Sequence, residues 1–369
     1  MRPSWLYALV ILLVAPRCQN PPSTSSSDPP DTPPQEPPAT PSPPGTPGGP
    51  SAPPPVPPPD PGPRVISVST QAQLVSALRG VRPGDEIHMA DGIYVGGVVI
   101  DRSGEPGNPI TLRGNRHAIV NGGNMGRAAI ALRANDWVIR GVTVTNALWG
   151  VYVTGGNRNL LDSVEVSQVG QEGVHFANFS SDNIIQNSYI HDTGLAIAEF
   201  GEGVYLGSAY RNWDDITGGL ADQSDRNQVL NNVIGPNVRS EHVDAKEGTT
   251  GGIIRGNRLD GTGMVQSQFW VDSWMEIKGN DYQIIENQGT NAITDGFQVV
   301  SVRGGWGNGN ILRRNVADVH ASGFGIRIAS GFENLVGCDN VVTAAGSGFA
   351  SVDCIDLPGS DSAAILRRR

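Results

Sequence analysis

The chain has 369 residues, including 48 glycines, 28 prolines and 3 cysteines, and its formal net charge is −10. Nucleic acid is excluded as the main partner, because phosphate binding needs a concentrated basic surface. An acidic protein also repels a polyanionic carbohydrate, so a cleft for such a polymer would need local lysines or a bound cation.

The N-terminal residues have the pattern of an export signal. Residues 1–18 begin with a positive charge and continue with an apolar run that is short for a membrane span, which predicts a signal peptide. Cys18 resembles a lipoprotein lipidation cysteine, although residues 15–17, Ala-Pro-Arg, fit the expected small residues poorly. We therefore expect a secreted or surface-anchored protein, with lipidation of Cys18 left open.

The next segment lacks residues that could form a core. Residues 19–64 are mostly Pro, Ser, Thr, Gly and Asp, and this composition predicts a disordered, extended linker. The folded domain is expected over residues 65–355, followed by a flexible tail over 356–369.

The folded part begins with a short helix and a strand pair. Residues 69–78 have a serine and threonine start and apolar residues at helical spacing, which predicts a helix. The following stretch, PGDEIHMADGIY at residues 83–94, predicts strands. This order resembles the N-terminal cap of right-handed parallel β-helix proteins, which protects the open edge of the first coil.

Two families of short strands then recur, and they predict a solenoid of roughly ten coils. Strands of the first family have an apolar anchor that should point inward: Ile130, Val151, Val174, Val204, Val243, Met275, Phe297 and Ile326. Strands of the second family end at an asparagine that should stack between coils: Asn187, Asn232, Asn257, Asn287 and Asn315. The expected fold class is all-β, a single-stranded right-handed parallel β-helix with an N-terminal helical cap.

The residue after each anchor should point outward, because side chains alternate along a strand. This predicts an outward column of Tyr152, His175, Tyr205, Asp244, Glu276, Gln298 and Arg327. A parallel column carries Lys246 and Lys278, and insertions at residues 208–224 and 262–272 flank it. A column of this length, roughly 30 Å at about 4.8 Å per strand, suits an oligosaccharide.

The column places like charges opposite each other, Asp244 on Glu276 and Lys246 on Lys278, which is unfavourable without compensation. One interpretation is a set of surface ion pairs that contribute little to stability. The other is a divalent cation such as Ca²⁺, which takes six to eight oxygen ligands. Cys338 and Cys354 either form a disulfide or stay separate thiols.

Residues 65 to about 350 resemble the pectate-lyase-like parallel β-helix polysaccharide lyases. The cap, the stretch GNPITLRGN at residues 107–115, and the acidic residues followed by Lys246 are most similar to the family-six lyases, the chondroitinase B and alginate lyase group. The resemblance implies an acidic polysaccharide substrate, Ca²⁺ that neutralises the uronate, a lysine base and an arginine near the leaving oxygen.

On this resemblance, Lys246 is the base, with a pKa lowered by a nearby cation or by Lys278. Arg327 or Tyr205 would act on the leaving oxygen. The remaining predicted roles are cation ligands, Glu202, Glu241, Asp244 and Glu276, and substrate-binding residues, Tyr152, His175, Lys278, Gln298 and Trp213. Trp213 is either a sugar platform or the small core of its own loop.

Two other function classes stay open at this point. A glycoside hydrolase on the same fold would need a close set of acids and no essential lysine. A non-catalytic glycan-binding or surface structural protein would use the column without chemistry. We expect a monomer whose partner is an acidic polysaccharide and not nucleic acid.

Overall fold

The computed structural model of the protein describes residues 62–266, 271–330 and 333–358. The predicted signal peptide, Cys18, nearly all of the predicted linker and most of the predicted tail lie outside these residues. Within them, no helix is both long and apolar enough to cross a membrane.

The described residues form two α-helices, two 3-10 helices and 29 strands. The helices are α1 (Gln71–Gly80) and α2 (Trp213–Ile216), and the 3-10 helices are Ala198–Phe200 and Tyr210–Asn212. The first strands are β1 (Val65–Val68), β2 (Glu86–Met89), β3 (Gly92–Val95), β4 (Val98–Ile100), β5 (Ile110–Arg113), β6 (Ala118–Leu132), β7 (Trp137–Arg140), β8 (Thr143–Thr154), β9 (Leu160–Asp162), β10 (Glu165–Val169), β11 (Val174–Ala177), β12 (Ile184–Gln186), β13 (Tyr189–Ile190) and β14 (Val204–Leu206).

The chain continues with β15 (Gln228–Leu230), β16 (Val233–Ile234), β17 (Val243–Ala245), β18 (Ile253–Arg255), β19 (Arg258–Asp260), β20 (Ser273–Ile277), β21 (Gln283–Ile285), β22 (Gln288–Thr290), β23 (Asp295–Val299), β24 (Ile311–Arg313), β25 (Val316–Ala321), β26 (Phe324–Ile328), β27 (Leu335–Val336), β28 (Val341–Ala345) and β29 (Gly348–Ala350).

These strands stack into three parallel sheets around one core. Sheet A has 11 strands in the order β1-β2-β5-β7-β9-β12-β15-β18-β21-β24-β27, one for each turn of the chain. Sheet B runs β3-β6-β8-β10-β13-β16-β19-β22-β25-β28. Sheet C runs β4-β6-β8-β11-β14-β17-β20-β23-β26-β29. The long strands β6 and β8 bend from sheet B into sheet C. The predicted parallel β-helix is confirmed.

Sheet C has the predicted register. Its inward anchors, from Ile130 to Ile326, are each no more than 1% exposed, and each pairs with the next in the expected order. The period of two along each strand therefore sends the next residue to the outer surface.

Helix α1 covers the first coil, close to its predicted position. The Thr70 hydroxyl accepts a hydrogen bond from the Gln73 backbone N–H at 3.3 Å, which caps the helix. Leu74, Ala77 and Leu78 are buried against the first strands. The apolar end of the solenoid is thereby shielded from water.

Buried asparagines join successive coils at the corner after sheet A. In each, the side-chain amide Nδ2 donates to Oδ1 of the next at 2.9–3.0 Å, and the ladder consists of Asn232, Asn257, Asn287, Asn315 and Asn340. The prediction was wrong for Asn187, which is exposed, because Ser188 occupies the ladder position. The left-handed backbone falls on the residue before the first four ladder positions, for example at Asn231 and Glu286.

Near the C-terminal end of the described residues, Cys338 and Cys354 form a disulfide. It joins segments 16 residues apart in sequence, across the last coil. This settles the alternative that the sequence left open.

Candidate functional site

The predicted outward column exists as a continuous row on sheet C. Register pairs connect Tyr152 to His175, His175 to Tyr205, Tyr205 to Asp244 and Asp244 to Glu276. Gln298 and Arg327 extend the row. The column is aromatic at one end and charged in its middle.

The aromatic end is packed edge to face. The His175 ring lies 4.8 Å from the Tyr152 ring and 4.5 Å from the Tyr205 ring, measured between centroids. His175 is 6% exposed, and its Nε2 lies 2.9 Å from the Gly207 carbonyl oxygen. Its Nδ1 lies 3.5 Å from a carboxylate oxygen of Glu172. His175 thus packs against both tyrosines of the column.

The charged part holds both lysines of the chain, since Lys246 and Lys278 are the only lysines in the sequence. The Lys246 amine contacts Asp244 Oδ2 at 2.5 Å and lies 4.8 Å from the Tyr205 ring centroid. The Lys278 amine contacts Asp244 Oδ1 at 2.9 Å and also pairs with Glu276. Asp244, 1% exposed, thus bridges the two amines.

Three carboxylates lie together beneath the lysines. Oxygens of Glu202, Glu241 and Asp244 all lie within 4.8 Å of one another. Glu202 Oε2 and Glu241 Oε1 are buried without a hydrogen-bond partner among the described residues. The Ser240 hydroxyl donates to the other Glu241 oxygen at 2.5 Å. The fourth predicted cation ligand, Glu276, is not in this group and pairs with Lys278 instead.

The pKa values of these carboxyls diverge. Burial, Glu172 and Glu241 raise the pKa of Glu202 well above its usual range. Burial, then Asp244 and Glu276, raises the pKa of Glu241 to about 8. Burial opposes ionisation of Asp244 too, but Lys246 and Lys278 outweigh it and leave its pKa lowered. Asp244 is therefore ionised at neutral pH, whereas Glu202 and Glu241 favour their protonated forms.

Lys278 alone does not lower the pKa of Lys246, whereas lowering by a bound cation, the other expected cause, stays a prediction. Burial does lower the pKa of Lys246, but Asp244, Glu276 and Glu202 raise it by more, so it lies above the ordinary lysine range. The pKa of Lys278 is raised for the same reason, with burial again opposed by Asp244 and Glu276. Lys246 is held as a cation unless the surrounding negative charge is reduced.

The acidic group fits a divalent cation in its chemistry. Oxygens that lie within 4.8 Å of one another can share a single ion at the 2.3–2.6 Å distances of Ca²⁺. Glu202 and Glu241 each have one buried carboxylate oxygen without a hydrogen-bond partner among the described residues, and such an oxygen is available to an ion. The Asp244 oxygens are already shared with the lysines. These three side chains could hold a metal ion.

Two predicted roles do not agree with the structure. Arg327 lies three strands from Asp244, roughly 14 Å at the usual strand spacing, and it pairs with Asp295 at 3.0 Å. It is too far from Lys246 to act on the same bond. Trp213 is 6% exposed and donates its Nε1–H to the Ser208 carbonyl at 3.0 Å. Trp213 is the core of its own loop and not a sugar platform.

The other predicted substrate-binding residues vary in accessibility. Tyr152 is half-buried and its pKa is raised to about 12 by burial and by Glu172. Gln298 is buried and its Nε2 donates to Asp272 at 3.3 Å. Glu172 was not predicted from the sequence, although it precedes its anchor by two positions as Glu202 and Glu241 do. That shared spacing was the available signal.

Comparisons with known proteins agree with this architecture. A family model described as the Pel9A-like, right-handed β-helix region matches residues 63–219. The alginate lyase of Paenibacillus sp. str. FPU-7 is 34% identical, with a TM-score of 0.72, over 78% of this chain and 98% of that protein. No curated protein sequence matches significantly.

Two further lyase structures share the fold. The pectate lyase Pel9A is 15% identical, with a TM-score of 0.52, over 81% of this chain and 82% of its own. A mannuronic-acid-specific polysaccharide family 6 lyase from human gut microbiota is 12% identical, with a TM-score of 0.51, over 80% and 78%. At these identities the likeness concerns the fold alone. The stronger match to the Paenibacillus enzyme favours a lyase over a hydrolase or a binding protein. The chain therefore belongs to the family of that enzyme, the pectate-lyase-like polysaccharide lyases with a right-handed parallel β-helix.

Proposed function

We propose that the protein cleaves a uronic-acid polysaccharide by β-elimination, with Lys246 as base and Tyr205 as acid. The observation that carries this proposal is the placement of the Lys246 amine 4.8 Å from the Tyr205 ring centroid on neighbouring coils. The Lys246 and Tyr205 side chains reach the surface of the outward column, at 13% and 8% exposure. Alginate, the substrate named for the Paenibacillus relative, is the first polymer to test.

The reaction makes separate demands on the two residues. A base removes the proton from the carbon next to the uronate carboxyl, and the electron pair moves first toward that carboxyl. The pair then forms a carbon–carbon double bond as the glycosidic oxygen leaves and takes a proton from an acid. Burial, Asp244 and Glu202 raise the pKa of Tyr205, so its hydroxyl keeps the proton that the leaving oxygen needs.

Lys246 must lose its proton to act as the base. The carboxylates that raise its pKa, Asp244, Glu276 and Glu202, are the groups whose charge would have to be offset. A divalent cation held by Glu202, Glu241 and Asp244, which we propose to be Ca²⁺, would supply positive charge that favours the neutral amine of Lys246. Lys278 meanwhile holds Asp244 in place through two hydrogen bonds of 2.9 and 3.0 Å.

The proposal also covers location and partners. We propose an exported or surface-anchored monomer that acts on an acidic polysaccharide outside the cell, in keeping with the N-terminal sequence. This part is testable separately, by fractionating cells that produce the full chain.

Ultraviolet absorbance tests the chemistry, because β-elimination leaves an absorbing unsaturated uronate and hydrolysis does not. The full chain would be incubated with alginate, pectate, glucuronan and dermatan, with Ca²⁺ or with a chelator. Lys246→Ala and Tyr205→Phe should each lower kcat by at least about 100-fold, the scale of a lost general base or acid.

The control variant is Arg258→Ala, an exposed position on sheet B, which should keep wild-type activity. Unchanged thermal unfolding would show that the inactive variants are folded. Full activity of Lys246→Ala, or no absorbance change with any of the four polymers, would contradict the proposal.

A further inference from the structure

Arg303 stacks on two aromatic rings of another loop. Its guanidinium carbon lies 5.3 Å from the Tyr210 ring centroid and 5.1 Å from that of Trp213. Tyr210 and Trp213 belong to the insertion at residues 208–224, whereas Arg303 belongs to a glycine-rich loop, residues 301–309, that follows strand β23. The two loops therefore meet across the two intervening coils, those of β17 and β20.

The aromatic side of this contact is fixed next to Lys246. The Tyr210 backbone N–H donates to a carboxylate oxygen of Glu247 at 2.6 Å. A Cβ at Gly248 would lie 3.1 Å from the Trp213 ring, so the ring packs on that backbone. Glu247 and Gly248 directly follow Lys246 in sequence. The two rings are thus anchored to the coil that carries the proposed base.

The glycine-rich loop is fixed from the other side. Asn280 lies two residues after Lys278 in sequence. Its side-chain amide donates to the Gly305 carbonyl at 2.9 Å. The Ser301 backbone N–H donates to the Ser330 hydroxyl at 2.8 Å. These bonds fix the loop that carries Arg303 to the segments that follow Lys278 and strand β26.

Within the described part of the chain, no ion pair neutralises the charge of Arg303. Many arginines here pair with a carboxylate, as Arg327 does with Asp295, but Arg303 has no ion pair with any described carboxylate. Its side chain is exposed. A guanidinium that stacks on aromatic faces keeps its N–H edge free for a planar anion.

We propose that Arg303 binds a carboxylate of the polysaccharide at a subsite beside the cleavage position. This inference rests on the proposed function, and it names a residue that sets specificity for acidic over neutral chains. A guanidinium binds a carboxylate through two parallel hydrogen bonds, and a protein of net charge −10 needs such local positive charge to hold a polyanion. Tyr210 and Trp213 position Arg303.

The experiment compares wild type with Arg303→Ala, Arg303→Lys and the matched control Arg258→Ala, all in the full chain. Arg258 is also exposed, but it lies on sheet B. Two measurements are made: kinetics on alginate, and affinity electrophoresis in gels that contain alginate or the neutral polymer dextran. Arg303→Ala should raise KM roughly five- to tenfold with kcat retained, and its retardation by alginate should weaken. The KM and retardation of Arg303→Lys should lie between those of wild type and Arg303→Ala, since lysine keeps the charge but cannot form two parallel hydrogen bonds.

The outcomes separate this inference from the proposed function. Absence of elimination by wild type would overturn the proposed function, and the alginate gels would then decide the role of Arg303 alone. Weaker retardation of Arg303→Ala than of Arg258→Ala supports the subsite. Equal behaviour of these two variants, in KM or in the gels, overturns it while leaving the chemistry of Lys246 untouched.

Discussion

The protonation state of Glu241 links the stability of the site to pH. Its carboxyl is 2% exposed, and burial, Asp244 and Glu276 raise its pKa from 4.5 to about 8. Glutamine has nearly the same shape, can accept the Ser240 hydrogen bond and cannot ionise. Glu241→Gln therefore imitates the protonated state at every pH.

The sign of the effect follows from proton binding. Between pH 4.5 and about 8 the folded wild type keeps a proton on Glu241 that the unfolded chain has released. The free energy of unfolding of the wild type therefore falls as pH rises through this range and levels off above it. At 1.36 kcal/mol per pH unit the loss is on the order of 5 kcal/mol. The variant avoids this loss.

Denaturant unfolding at about pH 5 and about pH 8.5, in the presence of a chelator, measures the difference. We expect similar midpoints for wild type and Glu241→Gln at the lower pH and a clearly higher midpoint for the variant at the higher pH. Glu286→Gln is the control, because Arg255 and Arg314 lower the pKa of that carboxyl against the opposing effect of burial. Parallel curves for wild type and Glu241→Gln across the range would refute the reasoning. Added Ca²⁺ should stabilise wild type at the higher pH more than it stabilises the variant.

Three further outcomes are expected. Asp244→Asn leaves two buried amines without their shared counter-ion and should destabilise the fold by about 3–5 kcal/mol. The denaturant unfolding midpoint measures this loss. The control Asp295→Asn should lose less stability, because its partner Arg327 is 42% exposed. Because the chain has two lysines, selective ¹³C labelling at Cε gives two NMR signals. Without divalent ions, both chemical shifts should remain those of a charged amine at pH values above the ordinary lysine pKa of about 10.4. Titration of either lysine below that pH would contradict the raised pKa values. Asn257 is 0% exposed, and Asn257→Ala removes its ladder hydrogen bonds. The variant should lose about 2–4 kcal/mol of stability, also measured by unfolding. An unfolding midpoint equal to that of wild type would show that the ladder adds no stability.

Much of sheet C could be predicted from the sequence because a parallel coil has a strict period of two along each strand. Once Val204, Val243 and Met275 are recognised as inward anchors, Tyr205, Asp244 and Glu276 must share the outer face. The same argument fails at corners, where the backbone leaves the strand. At one corner the chain places Ser188, and not Asn187, in the asparagine ladder.

The electrostatics of the site could not be predicted in the same way. The pKa of Lys246 depends on Glu202, which reaches it from a different coil and from a turn that no strand period fixes. The position of Arg303 depends on two loops that meet across two coils, and loop conformation is set by contacts distant in sequence. One signal was available and not used: a chain with 26 basic residues has two lysines, and both lie beside the outward column.

The charge of the site would limit how the proposed polyuronate substrate binds. With every group ionised, Glu202, Glu241, Asp244 and Glu276 outnumber Lys246 and Lys278 by two negative charges. Either two protons or one divalent cation removes this excess, and each uronate of a bound chain adds one more negative charge. Without divalent ions, the affinity for alginate should therefore fall as pH rises through the Glu241 pKa of about 8.

Affinity electrophoresis in alginate gels with a chelator, run over that pH range, measures this dependence. Retardation should weaken with rising pH for wild type and less so for Glu241→Gln, whose uncharged amide cannot add to the repulsion. Ca²⁺ should restore the retardation of wild type at high pH if Glu202, Glu241 and Asp244 hold it. If the affinity of wild type is independent of pH, the charge of the buried carboxyls does not affect substrate binding. The cation would then have no role in binding.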